Sequence, residues 1–195
     1  MHEATESVQF ADDHVVKNIV RAALFAALVG TFAYVSFPSP VSPVPVTLQV
    51  LGVFLAGIML GPTWGGLALV LYLVAGALGA PVFSFGQAGP GVLFGDRAGF
   101  LLSFPIAATV IGYLAHGGRS LRPLEDIHTV RMVGAMVGGV LLIYTMGVTG
   151  LMLIRALEVW EAIAIGAIAF IPAEAIKIAA AVAILRSDRL VAASR

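Results

Sequence analysis

The chain has no cysteine. Disulfide frameworks, thiolate metal sites and cysteine nucleophiles are therefore closed to it. Charge is scarce as well: Asp, Glu, Lys and Arg make up 11% of the 195 residues, against about 25% in a typical soluble domain. Acids and bases number 11 each, so no charge excess invites a nucleic-acid partner. The histidines, His2, His14, His116 and His128, all fall in segments read as aqueous, so no Ser–His pair is expected inside a bilayer. There is no H-E-x-x-H motif and no dense carboxylate group to hold a metal. Catalytic residues, metals and cofactors are thus not expected, and an intramembrane enzyme is the weakest of the functional readings. Met1–His14 is polar and acidic and lacks the basic region of a cleaved signal peptide, so the first apolar segment is expected to remain as a helix.

What the chain has in abundance is apolar sequence. Hydrophobic residues reach 59%, above the roughly 45–50% of soluble domains. From Ala22 to Gly95 there is no Asp, Glu, Lys or Arg. A spanning helix takes about 20 residues, so this block has room for three. Its breaks are Pro38, Pro40, Pro43 and Pro45, then Gly61-Pro62, then Pro81. The pattern predicts an all-α integral membrane protein, one membrane domain over 1–195 with a polar tail at 1–14. Six transmembrane helices are expected near 15–37, 47–60, 64–80, 99–115, 132–154 and 161–185. Pro81–Ala98 carries Gly86, Gly89, Gly91 and Gly95, too broken for a helix and too apolar for a free loop. It reads as a re-entrant or capping loop after helix three, which membrane depth tolerates only where it lines a cavity. Trp64 and Trp160 stand at helix ends as interfacial anchors.

With six crossings, Lys17, Arg21, Arg119, Arg122, Arg131, Arg186, Arg189 and Arg195 share one side, and only Arg97 and Arg155 the other. The positive-inside rule then puts both termini in the cytoplasm of a cell-membrane protein and turns the Pro-rich and Gly-rich loops outward.

The sixth segment holds two full charges, Glu174 and Lys177, one helical turn apart. Each costs about 2.5–3.5 kcal/mol in the bilayer, while a central Leu returns only about 0.3–0.6 kcal/mol. One reading is a structural ion pair inside the bundle. The other is that both charges face a ligand in an outward-facing pocket, the default for intramembrane ionisable residues. Pro172, just ahead of them, cannot donate to the Ile168 carbonyl, so a bend is expected there. Small residues at Ala22, Ala26 and Gly30, with Ala23 and Ala27 alongside, and at Gly57/Gly61, Ala75/Gly79 and Gly134/Gly138, mark close helix contacts. On helix one the strip fits either packing or a second protein.

The chain carries Val44-Pro-Val-Thr-Leu-Gln49, Leu55-Ala-Gly57, Gly61-Pro62, Leu71-Tyr-Leu73, Gly76-Ala-Leu-Gly79, Pro81-Val-Phe83 and Gly99-Phe-Leu-Leu-Ser-Phe-Pro105 in this order. In these stretches it resembles the BioY family, the biotin-binding S subunits of energy-coupling factor transporters. The resemblance implies six helices and a biotin pocket near the outer face, closed by the loops after helices one and three. It implies a membrane coupling protein and two ATP-hydrolysing subunits as partners, met through Ala22, Ala26, Ala23 and Ala27. ATP would bind those partners, since this chain has no G-x-x-x-x-G-K-[ST] loop. Glu174 and Lys177 match the family's acid and lysine, with Glu where Asp is commoner. Gln87 falls where members carry Asn, and Leu101 where some carry Arg, leaving Arg97 or Lys177 to hold a carboxylate. Gln49 offers donor and acceptor, and Phe83, Phe85 and Tyr144 offer surfaces for rings. For Gln49 polar filling, for Tyr144 packing, for Asp96-Arg97 a surface pair and for Thr47 a helix cap are the alternative readings. Among functions, a carrier for another vitamin, a proton-coupled carrier using Glu174, and a structural subunit stand beside biotin uptake.

Overall fold

Inside hydrocarbon every backbone N–H and C=O needs an internal partner, so an apolar chain of this length is driven to helices. The computed structural model describes residues 2–193, and side chains over 14–187. Its helices are α1 (His2–Tyr34), α2 (Gln49–Ala77), α3 (Ala98–His116), α4 (Thr129–Arg155), α5 (Val159–Gly166) and α6 (Ile171–Ala193). Among the described residues, five stretches are long and apolar enough to cross a membrane: His14–Tyr34, Gln49–Ala77, Ala98–His116, Thr129–Arg155 and Val159–Ser187. α1 packs on α2, α2 on α3 and α3 on α4, while α6 lies against α2 and α4. Val53, Phe54, Ile58, Leu69, Tyr72, Ile111 and Met136 fill the core between them.

The expected second and third helices share the range of α2, which leaves helical geometry at Gly61, with φ 75° and ψ −176°, where the Gly61-Pro62 break was expected. A left-handed φ suits glycine, and Pro62 cannot donate across the break. The chain reverses there: a methyl added to Gly65 would lie 2.8 Å from the Ala56 carbonyl oxygen, although a straight helix would separate those residues by about 1.5 Å for each intervening step. α3 sits directly on this reversal, with Gly112 facing Pro62 and Gly61. The predicted sixth helix is divided too. α5 stops at Gly166, Ala167 leaves helical geometry (φ −130°, ψ −61°), and a 3₁₀ turn over Ile168–Phe170 leads into α6. Pro172 therefore falls in the first turn of α6, where its missing N–H leaves no carbonyl orphaned.

Smaller corrections follow. The stretch expected as a polar tail is the beginning of α1, with the side chains up to residue 13 outside those described. Helix one ends at Tyr34, because Ser36–Phe37 pairs antiparallel with Val46–Thr47 and folds the Pro-rich segment into a small hairpin. His116 is not in an aqueous segment. It ends α3 at 1% exposure, its Nε2 2.8 Å from the Ile58 carbonyl oxygen while Nδ1 accepts the Arg122 N–H. That places the ring proton on Nε2 and uses both nitrogens for packing.

Candidate binding site

Because α2 reverses at Gly61, both its ends meet the C-terminal ends of α1 and α4 and the start of α3 at one end of the bundle. A small cavity of about 50 Å³ lies there, below the roughly 300–1,000 Å³ of occupied small-molecule sites. The hairpin contributes Val44, Pro45 and Thr47, and α2 contributes Gln49 and Val50. Ser84 and Arg97 come from the Gly-rich loop, Phe100, Leu101 and Phe104 from α3, and Ile143 and Tyr144 from α4. Phe170 and the pair Glu174 and Lys177 complete the wall.

The helix break before Ile171 sets the chemistry of that pair. It places Glu174 in the first turn of α6, where unpaired N–H groups and the helix dipole favour negative charge. Glu174 and Lys177 are 5% and 4% exposed, and Lys177 Nζ donates to Glu174 Oε1 at 2.7 Å. The other carboxylate oxygen, Oε2, and the Tyr144 hydroxyl are buried close to one another, without a hydrogen bond of full geometry to any group. An unmade buried hydrogen bond costs about 1–3 kcal/mol, so this wall has a donor and an acceptor that either each other or a ligand can satisfy. Lys177 has three N–H donors and spends one on Glu174. Of the described buried side-chain atoms lacking partners, the third, Arg186 Nε, belongs elsewhere, since that guanidinium holds the Leu124 and Ile127 carbonyls.

Arg97 precedes α3 and donates to Ser84 Oγ at 2.8 Å. It borders both the cavity and a shallow outer hollow lined by Pro43, Gln87, Gly91, Gly95 and Asp96. Asp96 does not pair with its neighbour. Its two oxygens accept from Arg155 Nε and a terminal guanidinium nitrogen at 2.8 and 2.7 Å. Those hydrogen bonds hold the Asp96 carboxyl below the usual carboxylate range, with the charges of Arg155 and Arg97 adding to the effect against partial burial. Arg97 and Lys177 set against Glu174 leave the cavity one positive charge in excess.

The remaining expected residues separate. Gln49 lines the cavity, yet its amide is engaged: the Thr47 hydroxyl donates to Oε1 at 3.0 Å, and Nε2 donates to the Tyr72 hydroxyl, which donates to the Val82 carbonyl. Thr47 also accepts the Gln49 backbone N–H, as a turn residue at the start of α2. Gln87 is exposed and away from the cavity, with its carbonyl accepting the Phe83 N–H. Phe83 is fully buried but faces α2, edge-on to Tyr72 at 5.6 Å and filling the space over Gly76. Phe85 is 53% exposed with φ 61°. On α1, Ala22 and Ala26 face the bundle while Ala23 and Ala27 face outward. The sequence reading missed Ser84, Phe100, Phe104, Ile143 and Phe170; apolar residues in apolar runs carry no contrast, and only Ser84, polar in a broken segment, offered a signal.

The chain matches the BioY family over residues 3–193. It is 36% identical over 171 residues to the biotin transporter BioY of Rhizobium etli, covering 83% of this chain and 87% of that one. The chain belongs to the BioY family. Another BioY, the biotin transporter of Thermotoga maritima, is 35% identical over 176 residues, covering 90% of this chain and 98% of that one. A solved structure, the S-component for biotin from an ECF-type ABC transporter, shares the fold with a TM-score of 0.81 at 23% identity, covering 91% of this chain and 93% of that chain. BioY relatives are named as transporters, not enzymes. Family and apolar spans together make this a multi-pass membrane protein.

Proposed function

We propose that this chain captures biotin at the outer face of the cytoplasmic membrane, as the substrate-binding subunit of an energy-coupling factor transporter. The observation that carries this is the cavity's pairing of unsatisfied acceptors with surplus positive charge. Biotin has two ureido N–H donors and a carbonyl at one end, a carboxylate at the other, and an apolar thioether ring and chain between. Glu174 Oε2 accepts from one ureido N–H, and the Tyr144 hydroxyl donates to the ureido carbonyl. Lys177, bonded to Glu174, adds a donor for the ureido carbonyl, Arg97 holds the carboxylate, and Phe100, Phe104 and Phe170 pack on the apolar middle. Gln49 braces the wall rather than gripping the ligand.

Six crossings are part of the same proposal, because the reversal at Gly61 gives α2 two antiparallel arms. The distribution of Lys and Arg then supports both termini in the cytoplasm and a pocket facing outward. The Gly-rich loop serves as the cap. The S-component title of the structural neighbour supports a coupling protein and ATP-hydrolysing subunits as partners. Nucleotide would bind those subunits, leaving this chain without a cofactor. The outward pair Ala23 and Ala27 provides a flat docking strip on α1.

The test is calorimetry of the detergent-solubilised protein with biotin, and mass spectrometry of small molecules that purify with it. Saturable heat with biotin is expected. Silence with biotin, together with heat from a different vitamin, would transfer the reading to that ligand.

A further inference from the structure

We infer that Asp96 and Arg155 are positioning residues for Arg97, and that Arg155 works by occupying the carboxylate that would otherwise draw Arg97 out of the cavity. The inference rests on the biotin reading for its ligand, though not for its geometry.

Asp96 and Arg97 are consecutive, and their charges lie close enough to act on each other, so Asp96 is an available partner for the Arg97 guanidinium. Arg155, the last residue of α4, reaches across and takes both Asp96 oxygens in a planar two-bond contact at 2.8 and 2.7 Å. With Asp96 satisfied, the Arg97 guanidinium turns to Ser84, donating to its hydroxyl at 2.8 Å and its carbonyl at 3.4 Å. Ser84 is 2% exposed and lines the cavity with Arg97. Asp96 remains close enough to feel the Arg97 charge.

The Asp96–Arg155 contact is too exposed to matter much for stability: the side chains are 27% and 47% accessible. Its consequence is directional. The turn after α4 passes through Ala156 in left-handed geometry (φ 52°, ψ 41°) just beyond Arg155, a conformation a non-glycine residue adopts only where its surroundings enforce it. The first half of the loop is tied separately: the Tyr34 hydroxyl donates to the Pro81 carbonyl at 2.6 Å, and the Gly89 N–H to the Gly76 carbonyl at 2.8 Å. The loop therefore has moorings that do not depend on Arg155.

This arrangement predicts an unusual genetic pattern. Arg155→Gln frees Asp96 to capture Arg97, and biotin affinity falls about tenfold, the worth of a lost charge-assisted hydrogen bond. Asp96→Asn/Arg155→Gln removes the competitor as well, and affinity returns to within about threefold of the parent. In an Arg97→Gln background, Arg155→Gln has no further effect. A simple tether gives the opposite result, with the double variant as weak as Arg155→Gln or weaker.

A second readout needs no ligand. The chain has no cysteine, so Ser84→Cys installs a single thiol beside the Arg97 guanidinium, which favours the thiolate. The pH profile of its alkylation should lie below that of an ordinary thiol, shift upward with Arg155→Gln, and shift back with Asp96→Asn/Arg155→Gln. If biotin fails to bind the parent protein while the thiol profiles follow this order, the function reading falls and the positioning role stands. If biotin binds but neither affinity nor thiol profile recovers in the double variant, the positioning role is overturned alone.

Discussion

The Tyr144 hydroxyl and Glu174 Oε2 are buried near one another without a hydrogen bond of full geometry. Tyr144→Phe should therefore leave thermal stability unchanged or slightly higher, while biotin affinity drops by about three- to tenfold, the worth of one neutral hydrogen bond. Calorimetry and a melting curve on the same preparation check both halves. Glu174→Gln differs in kind. It strands the Lys177 charge, and breaking a buried pair costs about 3–5 kcal/mol, so the melting temperature should fall along with binding. For Asp96 the sign is opposite to that of a raised group. Its carboxyl lies below the ordinary 3.8, so the contact with Arg155 is fully present above that value. It is lost only as pH falls through the lowered one. Acid titration of a fluorophore attached to a cysteine introduced at the exposed Gln87 should show no transition until pH drops below the normal Asp range. Glu174 and Lys177 were legible in the sequence because two charges inside an apolar run stand out. Gln87 was misleading because spacing cannot give the direction of a side chain that follows Phe85 and Gly86, both at positive φ.

Helix breaks are where elements acquire function here. At Gly112 a methyl would stand 2.5 Å from the Pro62 nitrogen and 2.6 Å from the Gly61 carbonyl carbon. Backbone cannot yield as a side-chain end can, so Gly112→Ala should cost about 1–3 kcal/mol, read as a lower unfolding temperature in detergent. Pro172→Ala acts the other way. The Ile168 carbonyl already accepts the Ile171 N–H, so the substitution acts only by removing the proline ring's bar to a helix continuing through Ala167. That variant should melt higher and bind biotin more weakly, because Glu174 leaves the helix start. Gly61-Pro62 was readable as a break from two residues whose geometry is restrictive. The stop at Ala167 was not, since nothing in Ile165-Gly-Ala-Ile168 forbids a helix; only the location of Pro172 hinted that the run bends. The small hairpin around the Pro-rich segment was hidden for a related reason. Two-residue strands carry too little alternation to register.

For the molecule as a whole, α1 presents two faces with different obligations. Ala22 and Ala26 are buried against the bundle at 5% and 7% exposure, and Ala23 and Ala27 are exposed. Ala27→Trp should leave biotin binding intact and abolish co-purification with a coupling protein. Ala26→Trp should damage the fold itself. A pull-down paired with calorimetry separates the two. Membrane character and overall helical architecture were plain from composition, because hydrocarbon permits few alternatives. The alanine strip was legible as small residues but not as two faces, since helix one alone cannot say which side its neighbours occupy.

Arg97 lines both the outer hollow and the cavity within. On the proposed outward orientation, an anion from outside the cell meets its counter-charge before it sheds its hydration shell, and keeps the same counter-charge afterwards. Dehydration, the step that slows the transfer of a carboxylate into an apolar chamber, then proceeds on a neutralised group. The capture rate should carry an ionic-strength dependence, whereas release, which starts from an ion pair already screened from solvent, should be nearly indifferent to salt.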